Sequence, residues 1–258
     1  MLNIFLTYKV EAEDHFLIVA NGPFEEEVVK KYLPGKTIVA LDGAANKLYK
    51  SKIEPMYILG DFDSLQEEYE TKGINFFNFN NAMSYFQSIP QPQGEAPLFE
   101  KYRLGYESEW SNNGDVTFVR AVSQNYTDLE KAIQFCASRG AKSIVIVNAL
   151  GGERTDHSLT NFSILKRYHG KLYKIQLVTK MEIIEFLKNE TIHFSGSRGA
   201  KFGLFGFPKA RASSKGLLWE MKDYPLELGV MESACNVLKD SNITITVKGE
   251  ALMIRPNY

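Results

Sequence analysis

Cysteine is scarce in this chain. Its 258 residues contain only Cys136 and Cys235, too few and too far apart for a disulfide framework or a cysteine zinc site. Charge of one sign is missing too: 30 basic against 31 acidic residues leave a formal net charge of −1. No global field therefore favours nucleic acid or a membrane surface. Long apolar runs are also absent. The start from Leu2 to Leu6 is apolar but for Asn3, and Lys9, Glu11, Glu13 and Asp14 follow at once. That is the pattern of neither a leader peptide nor a spanning segment, so a cytoplasmic protein is expected. Four catalytic signatures do not occur: Gly-x-x-x-x-Gly-Lys-Ser/Thr, Gly-x-Gly-x-x-Gly, Gly-x-Ser-x-Gly and His-Glu-x-x-His. Their absence removes support from P-loop, dinucleotide-binding, serine-hydrolase and zinc-protease readings.

What is present is an apolar content of 44% with 24% charged residues, enough for a real core. In the first two-thirds, β-rich apolar runs at 15–20, 37–41, 56–59, 116–122 and 143–149 alternate with helical patterns at 25–32, 43–50, 128–138 and 156–168. Such alternation predicts an α/β domain with a mostly parallel sheet. Beyond Gly170 the pattern changes to short strand candidates at 173–179, 182–187, 191–194, 201–207, 217–221, 243–247 and 252–255. These predict a C-terminal antiparallel β-sandwich, with domains at 1–169 and 170–258. Residues 76–115 interrupt the first domain. Rich in Asn, Gln and Pro yet aromatic, they form an unusually long connection with the potential of a lid, a packed subdomain or an oligomer contact.

Polar residues recur where the apolar runs end. Gly60-Asp61-Phe62-Asp63-Ser64-Leu65 follows 56–59. Along an extended backbone Asp61 and Asp63 project to one side. Two carboxylates at the open end of a strand form a hard oxygen site suited to Mg²⁺ and phosphate. Ser64 and Glu67 also match a capping box, so part of the stretch can serve only to start a helix. Asn21-Gly22-Pro23 ends the first run and Asp42-Gly43-Ala44-Ala45-Asn46 the second. Small residues opening a helix leave N–H groups accessible to phosphate, although a tight strand-to-helix turn is by itself the better explanation. After the run at 116–122 comes Ser123-Gln124-Asn125-Tyr126-Thr127-Asp128. Thr127 and Glu130 make a second capping box, and Asp128 offers a third carboxylate at the same sheet edge. The last stretch, Gly151-Gly152-Glu153-Arg154-Thr155-Asp156-His157, pairs close-approach glycines with an arginine fork suited to phosphate oxygens. His157 is read there chiefly as a helix-start hydrogen bonder.

In this order the stretches Asp42–Asn46, Gly60–Ser64, Thr127–Ala132 and Gly151–His157 resemble those of the thiamine pyrophosphokinase (thiamine diphosphokinase) family. Ser214-Lys215-Gly216-Leu217-Leu218-Trp219 and Ser233-Ala234-Cys235-Asn236 are similar to two further family stretches. The resemblance implies ATP-dependent transfer of a diphosphate group to the hydroxyl of thiamine, giving thiamine diphosphate and AMP. It implies Asp61, Asp63 and Asp128 as catalytic Mg²⁺ ligands. Asp42, Asn46, Gln124, Thr127, Arg154 and Asp156 would line the ATP side, and Asn21 at the end of the first run, Ser64 and His157 are grouped with them. Trp219, Ser233 and Asn236 would contact thiamine, in family members at a homodimer interface. This chain departs from the family at Ser123 and Asn125, where acids are usual, at Cys235, where a serine is usual, and in a glycine stretch one residue longer. Two alternatives stand beside this reading: a diphosphokinase for another hydroxymethyl heterocycle such as a pterin, and a non-catalytic thiamine- or nucleotide-binding relative.

Overall fold

The structure, a computed structural model, describes residues 14–60, 109–112, 116–120, 126–170 and 174–257. Chain contacts divide it into two compact units, Met1–Arg154 and Thr155–Tyr258.

In the first unit, β1 (His15–Val19), β2 (Thr37–Leu41), β3 (Tyr57–Gly60), β4 (Glu109–Asn112), β5 (Val116–Arg120) and β6 (Ser143–Val147) form a sheet in the order β6-β1-β2-β3-β5-β4. All neighbours are parallel except β4, which runs antiparallel along β5 with Glu109 opposite Val119. This edge strand is the described part of the 76–115 segment. The helices are α1 (Glu26–Tyr32), α2 (Ala44–Lys50) and α3 (Asp128–Ser138). Strand β2 is buried at every position, Thr37 included. A strand buried throughout has both faces covered, which is why its sequence reads as a continuous apolar run. Helix α3 presses Phe135 edge-on against Tyr57 of β3, ring centroids 4.9 Å apart, and Arg139 lies over both rings. The expected strands and helices of this unit agree with the structure to within a residue or two at their described ends.

The second unit opens with α4 (Thr155–Tyr168). The contact division therefore assigns this helix to the C-terminal unit, ahead of the boundary expected at 169/170. The reason is packing, since α4 rests on the next two strands, β7 (Lys174–Val178) and β8 (Glu182–Ser195). They are followed by β9 (Lys201–Lys215), β10 (Tyr224–Glu227), β11 (Ser233–Val237) and β12 (Asn242–Pro256), in the order β10-β9-β12-β8-β7 with β11 also on β9. All these pairs are antiparallel.

The expected pieces 182–187 and 191–194 are one strand, as are 243–247 and 252–255. The polar residues that seemed to separate them lie at a bulge where Asn189 and Gly249 take left-handed φ of 49° and 95°. The Gly249 N–H donates to the Asn189 side chain at 2.6 Å, so the chain bends without leaving the ladder. Residues from both halves of β12 (Ile245, Val247, Ala251, Met253) and of β9 (Phe202, Leu204, Ala210, Ala212) meet in one core cluster. The expected piece 217–221 is not a strand but a loop, for reasons given below. No described helix is long and apolar enough to cross a membrane.

Candidate active site

The strand order reverses between β1 and β6: from β1 the chain steps outward through β2 and β3, then returns to β6 on the other side. Ligands of open α/β sheets bind outside the carboxyl ends of the strands at such a reversal. Here those ends carry unusual backbone. Asp42 follows β2 and Asn148 follows β6, both non-glycine residues with left-handed φ, 42° and 58°. Both are buried, at 6% and 4% exposure. Left-handed backbone at residues with side chains is costly and collects at functional sites.

The β1 and β6 ends are locked together. The Gly22 N–H donates to the Asn148 carbonyl at 3.1 Å. A β-carbon at position 22 would fall 2.2 Å from that oxygen, so only glycine fits. The Asn148 side-chain oxygen accepts the N–H of Glu25 at 3.1 Å, just ahead of α1. Gly151 and Gly152 continue with φ of 76° and 88°, and their α-carbons face the Pro23 ring. Arg154 and the stretch from Gly151 onward are exposed.

Helix α2 braces the β1 exit from the other side. Lys47 donates to the carbonyls of Asn21 and Gly22 at 3.1 and 2.8 Å, and partial burial pushes its ammonium below the ordinary lysine range. The Asn21 carboxamide lies against Gly43, where a β-carbon would sit 2.7 Å from its nitrogen. Asp42 continues the pairing of β2 with β3 through its N–H to Leu59 at 3.0 Å and accepts the Ala45 N–H at the start of α2. Its side chain adjoins Gly60: a β-carbon there would approach the Asp42 β-carbon to 3.0 Å. Asp42 thus precedes α2 and Asn46 lies in its first turn.

From Gly60 the chain enters Asp61, Asp63 and Ser64, which lie outside the described residues, as do Ser123, Gln124 and Asn125. The hydroxyl of Thr127 accepts the Glu130 N–H at 3.3 Å, making it the expected cap of α3. Asp128 stands in the first turn, and its carboxylate pairs at 2.9 Å with Lys131, whose side chain is 3% exposed. Among the described residues no cluster of three or more His, Cys, Asp or Glu forms a metal site. Among the described residues Asp128 supplies a half-exposed carboxylate of the hard oxygen type that suits Mg²⁺, and the Asp42 side chain is buried beside Gly60.

In the second unit, Asp156 accepts the His157 N–H at 3.1 Å in the first turn of α4, and both side chains are exposed. Trp219 is 60% exposed, so it is not a core tryptophan. The buried Asn236 clamps its backbone, accepting the Trp219 N–H at 3.2 Å and donating to its carbonyl at 2.8 Å. Ser233 precedes Asn236 on β11, the two separated by a bulge that exposes Ala234 and Cys235. Sequence reasoning missed Asn148 and Lys47. An asparagine closing an apolar run just before paired glycines was the available signal for a left-handed residue; the role of Lys47 had none.

These features define an α/β protein whose parallel strands end in left-handed, buried backbone at the reversal of the sheet order, carried on one chain with an antiparallel β unit that presents an exposed tryptophan. The family model of the thiamin pyrophosphokinase catalytic domain matches residues 30–177, reaching through α4 into β7, and that of the thiamin pyrophosphokinase vitamin B1 binding domain matches residues 187–252. The chain belongs to the thiamin pyrophosphokinase family. Thiamine pyrophosphokinase 2 of Oryza sativa is 23% identical over 253 residues, covering 93% of this chain and 85% of that protein. Thiamine pyrophosphokinase 1 of Arabidopsis thaliana is 28% identical over 153 residues, 55% of this chain and 56% of that one. Among solved structures, thiamine pyrophosphokinase from Bacillus subtilis superposes with a TM-score of 0.70 at 20% identity, covering 94% of this chain and 99% of that one. The Candida albicans enzyme gives 0.67 at 17% identity, covering 98% and 96%. None of these relatives favours the pterin alternative.

Proposed function

We propose that the protein transfers the diphosphoryl group of ATP to thiamine: the thiamine hydroxyl oxygen bonds to the β-phosphorus, the bond to the α-phosphate oxygen breaks, and AMP leaves. The observation that carries this reading is the set of locked strand ends at the sheet reversal, with Asp42 and Asn148 left-handed and buried and Gly22 fitted against Asn148. Backbone held this tightly positions phosphates without rearranging, and such transfers depend on positioning and charge neutralisation more than on covalent chemistry.

Asn21, Asp42, Asn46, Thr127, Arg154, Asp156 and His157, with Ser64 and Gln124, are assigned to ATP. Asp61, Asp63 and Asp128 would hold Mg²⁺, which when bound neutralises charge on the transferring phosphate oxygens. Lys131 moderates the charge of Asp128 and keeps its carboxylate in the first turn of α3. Trp219, Ser233 and Asn236 are assigned to thiamine, which makes residues 170–258 the acceptor-binding part and 1–169 the catalytic part. A homodimeric state and a cytoplasmic location belong to the same proposal.

The test is AMP release with Mg²⁺ and ATP in the presence of thiamine or a hydroxymethylpterin. Thiamine-dependent AMP is expected, and release independent of thiamine, or none, overturns the reading. Asp63→Asn is expected to abolish transfer with unfolding unchanged; full activity in that variant would remove the carboxylate cluster from the mechanism.

A further inference from the structure

The loop 216–221 leaves the β ladder apart from one bridge of Leu217 to Leu238, and side chains join backbone bonds in holding it. Gly216 turns it with φ 97°, and a β-carbon there would meet the Asn242 carbonyl at 2.7 Å. Its carbonyl accepts the N–H groups of Lys239 and Asp240 at 2.8 and 3.0 Å. Glu220 then closes the loop on itself: one carboxylate oxygen accepts the Gly216 N–H at 2.6 Å, the other the Ser214 hydroxyl at 2.6 Å. The Ser214 hydroxyl oxygen in turn accepts the Met221 N–H at 2.8 Å. Across the loop Asn236 holds both backbone groups of Trp219, and Leu218 donates to Val237 at 2.8 Å. Trp219, the residue between these two holds, is left exposed.

We infer that Glu220 is a positioning residue that, with Ser214, pre-organises Trp219 as a rigid platform for the acceptor. This rests on the proposed assignment of Trp219 to thiamine and deepens it. An exposed aromatic side chain on a loose loop must be ordered when the ligand binds, at a cost to affinity; a loop already closed by charge-assisted bonds avoids that cost. The role is mechanical. Glu220 touches the loop backbone and Ser214, and it acts on the ligand through Trp219.

The test uses the full chain in a Trp110→Phe background, where Trp219 is the remaining tryptophan. Time-resolved fluorescence anisotropy reads its local motion, and steady-state kinetics read both substrates. Glu220→Ala and Ser214→Ala should each enlarge the fast depolarising component and raise the KM for thiamine about five- to tenfold, the equivalent of one newly mobile side chain. The KM for ATP and kcat should stay within about twofold, since nothing else in the mechanism is touched. Glu220→Gln, whose carbonyl still accepts a hydrogen bond, should recover most of the loss. Unchanged anisotropy in Glu220→Ala overturns the inference. So does a KM rise in Glu220→Ala and Glu220→Gln without one in Ser214→Ala, because charge and not position would then be at work. If Trp219 loosens as expected but Trp219→Ala leaves the KM for thiamine unaltered, the positioning stands and the thiamine assignment of this loop falls.

Discussion

Gly22 carries the tightest steric requirement at the carboxyl edge of the parallel sheet. Its α-carbon lies so close to the Asn148 carbonyl that an added β-carbon would sit 2.2 Å away, and a backbone atom cannot step aside as a side-chain end can. Gly22→Ala should therefore push the β1 exit away from β6 and disturb the carbonyls that Lys47 holds. The expected cost is about 1–3 kcal/mol in urea unfolding, as for other overpacked sites. If the edge holds the phosphates, the KM for ATP rises with little change in that for thiamine, which separates a local effect from general unfolding. The identity of Gly22 was readable as a turn glycine, but its partner was not. Asn148 is 126 residues further along the chain, and no local pattern announces which carbonyl will lie above which α-carbon.

Helix α3 shows how an element is begun by its own sequence and then used by its surroundings. Thr127 and Glu130 were legible as a capping pair, and the Thr127 hydroxyl does accept the Glu130 N–H. Thr127→Ala should cost about 1 kcal/mol of stability in urea unfolding through the loss of this half-buried cap. The same substitution moves Asp128, which the first turn carries, so a loss of activity larger than the loss of stability is expected. What the spacing did not reveal is that Lys131, one turn on, is buried and bonded to Asp128. Burial of a lysine is a property of the packed unit, and charge patterning alone would place that residue in solvent.

At the scale of the whole molecule, the second unit is tied together by charges as well as by its core. Glu250 of β12 bonds Lys166 of α4 at 2.7 Å and Lys188 of β8 at 2.8 Å. These two ammonium groups, Lys166 first, lower its carboxyl from an ordinary value of 4.5 to about 2. A carboxyl whose folded pKa is depressed contributes stability that is present above the unfolded value and lost as the pH falls toward the folded one. The contribution should be complete above about pH 5 and disappear between pH 4.5 and 2. Thermal melts across that range should show a steeper acid limb for the natural chain than for Glu250→Gln, in which this group no longer titrates. Equal limbs would show that the three charges contribute nothing as a set.

The alternation of apolar and helical segments, the change to short β-rich pieces after Gly170, and the family-like stretches were all present in the sequence, because periodicity, capping chemistry and motif order are local properties. Where one strand ends and the next begins in the second unit was not local. The bulge at Asn189 and Gly249 carries two pairs of apparent pieces through as single strands, while the turn at Gly216 takes another apparent strand into a loop that Glu220 and Asn236 help to hold. Only the tertiary structure decided which strand ends meet at the reversal of the sheet, why Gly22 and Asn148 require each other, and how Trp219 comes to be exposed yet held. Each depends on atoms far apart in the chain approaching to within one hydrogen bond or one methyl group, and that information exists only once the chain has folded.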